Sequence, residues 1–511
     1  MRFAALTTIA LVAPQLLTAQ DSRSVAQAVN SITPKDIRHR IGVIAHDSMR
    51  GRYTPSPELD EVAQYVAGEF RRFGLKPGGD NGSYLQRYPL ESWRYDTKTP
   101  AITVEGGPEW LLGTEVARYF GGLAPSGVTG PAKVVWGTGA SQAALRPLEL
   151  QGSIALVVTS LTDDDLGRTE SQLVFGVYRQ RPAAIIMITR RSDASWAGRL
   201  ASQRNSFATS PGQQQQRVRR PPVLEVRDDM IAPILEQHGF DLAAARSSAG
   251  QPVQGRQLPD LGITVTVGRI RGTDTTAPNT VGILEGSDPT LKNEYIVFSA
   301  HMDHVGVGSA GQGDSIYNGA DDDASGTIGV VELAEAFANL NPPPKRSLVF
   351  LTVSGEERGL WGSRHFATNP PVPIDQIVAN LNIDMIGRNW TDTVVVIGKE
   401  HSDLGTTLHR VSREHPELNM APIDDIWPQE NFYGRSDHIN FARRGVPILF
   451  FFNGTHEDYH QAGDHVEKID AEKQSRIVKL IFYLGLELAN AAERPKWDPE
   501  SYQRIVTGGG S

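Results

Sequence analysis

The sequence contains no cysteine. Disulfide staples are therefore excluded, and so are thiolate zinc ligands; any metal would have to be held by His, Asp and Glu. Beyond the first twenty residues, no stretch reaches the ~18 continuous apolar residues that span a bilayer, which argues against stable membrane insertion. Basic residues form no stripe. The 50 Lys and Arg are outnumbered by 59 Asp and Glu, for a formal charge of −9, so nucleic acid is not an expected partner. A common catalytic signature is missing as well. No Gly-x-Ser-x-Gly elbow of a serine hydrolase occurs, and Gly434-Arg435-Ser436-Asp437-His438 only half resembles one. An HExxH string does occur, His456-Glu457-Asp458-Tyr459-His460, but Asn453-Gly454 before it and Gly463 after it read as a loop rather than the helix on which that motif holds zinc.

What is present suits a soluble globular protein: 511 residues, 39% hydrophobic and 21% charged, enough chain for about two or three domains. The N-terminus reads as a secretory signal over residues 1–19. Arg2 gives a positive start, Phe3 to Leu17 is mostly apolar, and Leu17-Thr18-Ala19 offers a small residue for cleavage before a polar switch. The mature protein is therefore expected to be secreted or periplasmic.

Residues 33–45 have helical spacing, with Ile37, Ile41 and Ile44 on one face and Thr33-Pro34 as a start signal. Residues 57–73 form a second amphipathic helix that Gly74 ends. Residues 84–90 read as a strand. Composition changes near Gly106, and from there to about Leu258 the chain shows short strands and turns, with a polar, Gln- and Arg-rich loop at 202–220. This part holds no cluster of His and carboxylates. It is read as a domain (106–258) inserted between an N-terminal part (30–105) and a catalytic part (259–495) of the main domain, with a C-terminal tail at 496–511.

In the catalytic part, strands alternate with helices, which indicates a mostly parallel mixed α/β sheet flanked by helices. The stretch that organises it is Tyr295-Ile296-Val297-Phe298-Ser299-Ala300, a buried strand ending in His301-Met302-Asp303-His304. A glycine-rich loop leads to Asp321-Asp322-Asp323, after which Ile328, Val331, Leu333, Ala334 and Phe337 recur at helical spacing. Residues 347–353 form another buried strand, ending in Ser354-Gly355-Glu356-Glu357, and residues 377–383 a third, ending at Asp384. Further strands are expected at 393–397 and 447–452 and a long helix at 471–491. His460 lies in a loop before that helix. Ligands bind outside the carboxyl ends of parallel strands, and charged groups placed repeatedly at the ends of buried strands are costly unless paired or metal-bound. Two imidazoles, three carboxylates and a spare Glu can hold two zinc ions roughly 3.5–4 Å apart if one carboxylate bridges them. Each feature alone has a plainer reading: the Asp run as a helix N-cap, the Glu pair as a solvated turn.

These residues resemble the zinc aminopeptidases of metallopeptidase family twenty-eight, clan MH, co-catalytic dizinc exopeptidases with a phosphorylase/hydrolase-like fold. The matching motifs are Ala300-His301-Met302-Asp303-His304, Gly319 to Gly326, Gly355-Glu356-Glu357-Arg358-Gly359-Leu360-Trp361-Gly362-Ser363, Asn382-Ile383-Asp384-Met385 and Tyr459-His460-Gln461. The resemblance covers about Ile32 to Leu90 and Asn279 to Leu488, and the segment between resembles a protease-associated (PA) domain. The resemblance implies two Zn²⁺ per chain: His301 and Asp384 on one, Glu357 and His460 on the other, Asp322 bridging. It implies Glu356 as general base, Tyr459 on the oxyanion with Tyr433 as rival, and Asp303 orienting His301. His304 and Asp321 are read as structural neighbours, and Asp437 and His438 as supporting residues. The implied substrates are peptides with a free N-terminus. A carboxypeptidase or other amide hydrolase on the same scaffold is the alternative, with Arg388 or Arg435 for a substrate carboxylate.

Overall fold

In the computed structural model, residues 22–159, 168–211, 220–248, 250–308 and 313–508 are described. The signal segment 1–19 and the Gln run Gln213 to Gln216 lie outside them. Two compact units are present: the described parts of Met1–Arg87, Pro278–Gly306 and Tyr317–Ser511, and those of Tyr88–Ala277 and Val307–Ile316.

The first unit is built on one sheet. Its strands follow the order Thr275–Leu284, Ser347–Val353, Tyr295–His301, Ile377–Asp384, Ile448–Phe452, Thr393–Ile397, Ala421–Ile423. The four from Ser347–Val353 to Ile448–Phe452 are mutually parallel, whereas Thr275–Leu284 and Thr393–Ile397 pair antiparallel on either side. The parallel strands are buried along their length, which explains their unbroken apolar runs. Alternation still sorts their side chains. Ile296, Phe298, Leu348, Phe350, Leu381 and Phe451 pack beneath helices Pro34–Ile44, Pro57–Arg72, Gly326–Ala338 and Ala471–Asn490. Val297, Val349, Leu351, Phe450 and Phe452 face the opposite layer, which includes Phe366 of Trp361–Thr368 and Phe441 of His438–Ala442.

The helix starts follow from capping. Thr33 Oγ1 accepts from Asp36 N at 3.1 Å and Ser56 Oγ from Leu59 N at 3.0 Å, each with proline at the next position. Register then positions the chemistry. His301 lies beside Val353, so the loop carrying Glu356 and Glu357 leaves the sheet next to it. Asp384 ends its strand beside Phe452. All three strands deliver their polar ends to one sheet edge.

The second unit holds an eight-stranded mixed sheet in the order Glu109–Leu111, Pro100–Val104, Gln254–Val267, Ala124–Trp136, Ile154–Val158, Ala184–Thr189, Pro222–Arg227, Ala117–Gly121. Helices Arg168–Arg179, Asp228–Gln237 and Leu242–Ser247 accompany it. Its borders differ from 106 and 258. Val104 pairs with Ile263 and Thr103 with Glu109, so the change at Gly106 is a hairpin turn within one sheet, and strand Gln254–Val267, which runs through residue 258, belongs to this unit. The loop read at 202–220 contains a short strand, Phe207–Thr209, held by Glu91–Trp93; three residues are too few to show a period. The C-terminal stretch is no free tail either. Trp497 Nε1 donates to Gly445 O at 2.8 Å and Asp498 N to His401 O at 2.8 Å. Among the described residues, no helix is long and apolar enough to cross a membrane.

Candidate metal centre

His301 is buried at its strand end, with Nε2 3.4 Å from Asp322 Oδ1 and 3.6 Å from Asp384 Oδ1. Nδ1 lies 3.1 Å from the main-chain oxygen of Asp303, so Nδ1–H is the donor and the Nε2 lone pair points at the carboxylates. A carbonyl on the far nitrogen is the usual way to orient a metal-binding imidazole. The expected orienting role of Asp303 thus falls to its carbonyl. Its carboxylate accepts instead from Thr54 Oγ1 at 2.9 Å and from Glu356 N at 3.2 Å. Thr54 Oγ1 in turn accepts from Gly355 N at 3.0 Å, which fixes the loop carrying the two glutamates.

The three consecutive aspartates separate by role. Asp321 Oδ1 accepts from Gly387 N at 2.6 Å, and Asp323 accepts from His301 N, Gly326 N and Met385 N. Asp323 is spent on the backbone, and the second oxygen of Asp321, Oδ2, lies 3.3 Å from His456 Nε2. Asp322 alone faces both His301 and His460, with Oδ1 toward His301 and Oδ2 3.1 Å from His460 Nε2. Its backbone lies outside the helical region and its peptide bond to Asp323 is cis. Asp464, whose carboxylate accepts from Asp321 N and Asp322 N, holds this turn, as does Arg52, whose fully buried guanidinium donates to the carbonyls of Met302, Asn318, Gly319 and Asp322. Arg52 itself sits in an irregular turn, where periodicity carries no signal.

Glu357 Oε2 is 3.1 Å from His460 Nε2, and Glu357 Oε1 is 2.9 Å from His304 Nδ1. His304, read from sequence as a structural neighbour, thus stands among the donors. Two groups emerge, each with donor atoms within 4.8 Å of one another: His301, Asp322 and Asp384, and His304, Asp322, Glu357 and His460. The structure brings all five sequence-predicted ligands together and shares Asp322 between the groups. Glu356 lines the same cavity with Tyr459. Tyr433 does not; its ring packs edge-on against His401, 4.6 Å between centroids.

The residues fit a divalent metal. Asp322 Oδ2, Glu357 Oε1 and both His304 nitrogens are buried without a hydrogen-bond partner, which is expensive unless a cation faces them. The protein's own charges show the same demand. Burial disfavours the charge of Asp322, but His304, His301 and His460 hold its pKa well below the carboxylate range. Burial pulls the other way on His460 too, yet Asp322 and Glu357 raise it to about 10. Glu356 goes up, through burial first and then the nearby carboxylates of Asp437, Glu357 and Asp384.

Asp437 and His438 are buried beside the site. Burial pushes the Asp437 carboxyl up to about 7 and the His438 imidazole down to about 3, although His438 Nε2 bonds the Tyr433 carbonyl at 2.9 Å. The unfolded chain takes up a proton at His438 below its ordinary value near 6.5 while the folded chain does not, so stability falls as pH drops from there toward 3. Between pH 7 and pH 5 this one group is expected to remove about 2 kcal/mol. Urea unfolding at the two pH values checks it: His438→Gln flattens the difference, and an equal pH loss in both proteins would exclude the assignment.

Fold and site together define the first unit as a mixed α/β domain with a candidate metal centre at the carboxyl ends of its parallel strands. Residues 279–485 match the model of Peptidase family M28, in agreement with the motif-level resemblance. "Leupeptin-inactivating enzyme 1" of Streptomyces exfoliatus is 27% identical over 42% of this chain and 43% of its own. A "Probable leucine aminopeptidase" of Arthroderma benhamiae is 28% identical over 40% and 56%. The chain thus spans about half the length of the curated relatives it matches. Among solved structures, an aminopeptidase from Aneurinibacillus sp. strain AM-1 superposes with TM-score 0.54 at 18% identity, covering 93% of this chain and 98% of the other. A zinc aminopeptidase from Bacillus subtilis does so with TM-score 0.53 at 15% identity, covering 94% and 97%. At these identities the likeness is one of fold.

Proposed function

We propose that the protein is a secreted dizinc aminopeptidase that removes N-terminal residues from peptides. The observation that carries this is the pair of donor groups sharing Asp322, with Glu356 beside them and in neither group. His301 and Asp384 would hold one metal, Glu357 and His460 the other, and Asp322 both. When bound, such a pair would polarise a peptide carbonyl and acidify a bound water. The rest falls to the chain. Glu356 takes the proton of the attacking water on a carboxylate oxygen and passes it to the departing amine. Tyr459 keeps its proton, since burial and then Asp322 and Glu357 hold its pKa above the usual value. Its ring stacks on His460 at 4.0 Å and it lines the cavity, where its hydroxyl would donate to the substrate's carbonyl oxygen as charge develops there. Met385, Phe432, Phe450 and Phe452 line the same cavity and favour an apolar first side chain. The relative named a leucine aminopeptidase is in keeping with that, and the leader read at residues 1–19 supports export.

Arg435 also lines the cavity and favours the carboxypeptidase reading, in which it would bind a terminal carboxylate. Its guanidinium, however, is drawn to Glu430 at 3.3 Å and lies over Phe432. A panel of aminoacyl-p-nitroanilides separates the two. The expected result is chelator-sensitive release, fastest for Leu, Met and Phe, restored by zinc and absent from N-acetylated substrates. Cleavage only of substrates with a free C-terminus would replace this reading with the carboxypeptidase.

A further inference from the structure

We propose that His304 is a fourth protein donor to the metal held by Glu357 and His460, so that the two metal positions differ in kind. This rests on the two-metal reading above. His304 is fully buried, three residues beyond His301, where the strand has ended and the chain is free to turn the second imidazole into the same centre. Its Nδ1 lies 2.9 Å from Glu357 Oε1 and 3.6 Å from Asp322 Oδ2. Neither ring nitrogen, nor either of those two oxygens, has a hydrogen-bond partner. A buried imidazole with a purely structural role is normally tied by at least one hydrogen bond. Here the unbonded donor atoms of three side chains face one another instead, and the His460 ring stands edge-on at 5.6 Å.

The backbone makes room for this ring. Gly319 has φ +58°, and a Cβ there would come within 2.6 Å of His304 Cγ and Cδ2. His304 N donates to Arg52 O at 3.3 Å, the same Arg52 whose side chain holds the carbonyls of Gly319 and Asp322. One residue therefore sets both walls of the imidazole slot.

The consequence is chemical asymmetry. One position offers one nitrogen and two carboxylates, from His301, Asp322 and Asp384. The other offers two nitrogens and two carboxylates. Imidazole-rich sites suit zinc, while oxygen-rich sites accept manganese and other hard ions more readily. The nitrogen-rich position is thus expected to fill first and to keep its zinc against a chelator, with the other position exchanging.

The test reads the metal directly. Wild-type protein is labelled with ¹⁵N-histidine and loaded with two equivalents of ¹¹³Cd²⁺. Two cadmium resonances are expected, with scalar coupling to three histidines in total, two of them on one resonance. In His304→Gln that resonance loses one coupling and moves, and zinc affinity at the tighter step falls by roughly 10–100-fold or more. Coupling to only two histidines in the wild type would overturn the proposal, and this result does not depend on the variant folding. An unmoved pair of resonances in His304→Gln would do the same, leaving His304 as a hydrogen-bonding neighbour of Glu357. A wild type that takes up a single cadmium at saturation would overturn the two-metal reading itself, and His304 as a donor to its second metal with it.

Discussion

Glu356→Ala lowers kcat by roughly 10²–10⁴-fold, the usual contribution of a positioned general base, while metal content stays at the wild-type level. The geometry separates the two adjacent glutamates on this point. Glu357 has one oxygen near His460 and the other near His304. Glu356 belongs to neither donor group but lines the cavity beside His301, Asp322 and Asp384. Its carboxyl is pushed up by burial and by surrounding carboxylates, so it holds a proton more readily than a free glutamate, as a group that must receive and return one should. Its main-chain N–H is fixed by Asp303 independently of its side chain, so truncation leaves the loop and Glu357 in place. Elemental analysis alongside steady-state kinetics decides the matter. Near-normal turnover removes Glu356 as the base, and loss of metal with activity makes it a ligand.

How far the sequence reached depended on periodicity. The parallel strands of the first unit are buried on both faces, so they read as plain apolar runs, and the polar residue ending each run stood out. That made His301, Asp384 and the Glu356-Glu357 pair visible. The Asp run was visible as a run, but only backbone partners show why Asp321 and Asp323 serve the fold and Asp322 the centre. Past a strand end, alternation ceases to predict direction, which is why His304 passed for a structural neighbour. Arg52 was hidden for a similar reason: it lies in an irregular turn with φ 49°, and its work is to bind carbonyls far along the chain. The edges of the second unit were obscured because hairpin turns and domain borders share the same glycine-rich composition. Of the aromatic residues in this region, Phe432 lines the cavity, whereas Trp427 packs behind it on Phe432 and Phe452, and Trp390 leans on Trp427. Composition cannot separate a wall from the layer that supports it.

Asp322→Ala is expected to lose both metals together, with activity falling below detection. Each of the other ligands serves one group, so removing His301 or His460 leaves the second group's donors intact. Asp322 serves both: Oδ1 is 3.4 Å from His301 Nε2, and Oδ2 is 3.1 Å from His460 Nε2. Without it, one group keeps a single imidazole and a single carboxylate. The other is left with His304, Glu357 and His460, and with one carboxylate instead of two facing its cation it binds metal far more weakly. Four carboxylates, Asp322, Glu356, Glu357 and Asp384, crowd this buried centre, and a bridging oxygen pair is what lets two cations share that charge. The substitution should not melt the turn. Asp464 holds the main-chain N–H of residue 322, Arg52 holds its carbonyl, and Asp321 and Asp323 keep their own backbone partners. A thermal melt of the metal-free proteins checks this, and the two should then unfold at similar temperatures. Metal per chain is the decisive reading. A fall from two toward none supports the bridge; retention of one places Asp322 in a single site, and retention of both excludes it as a ligand.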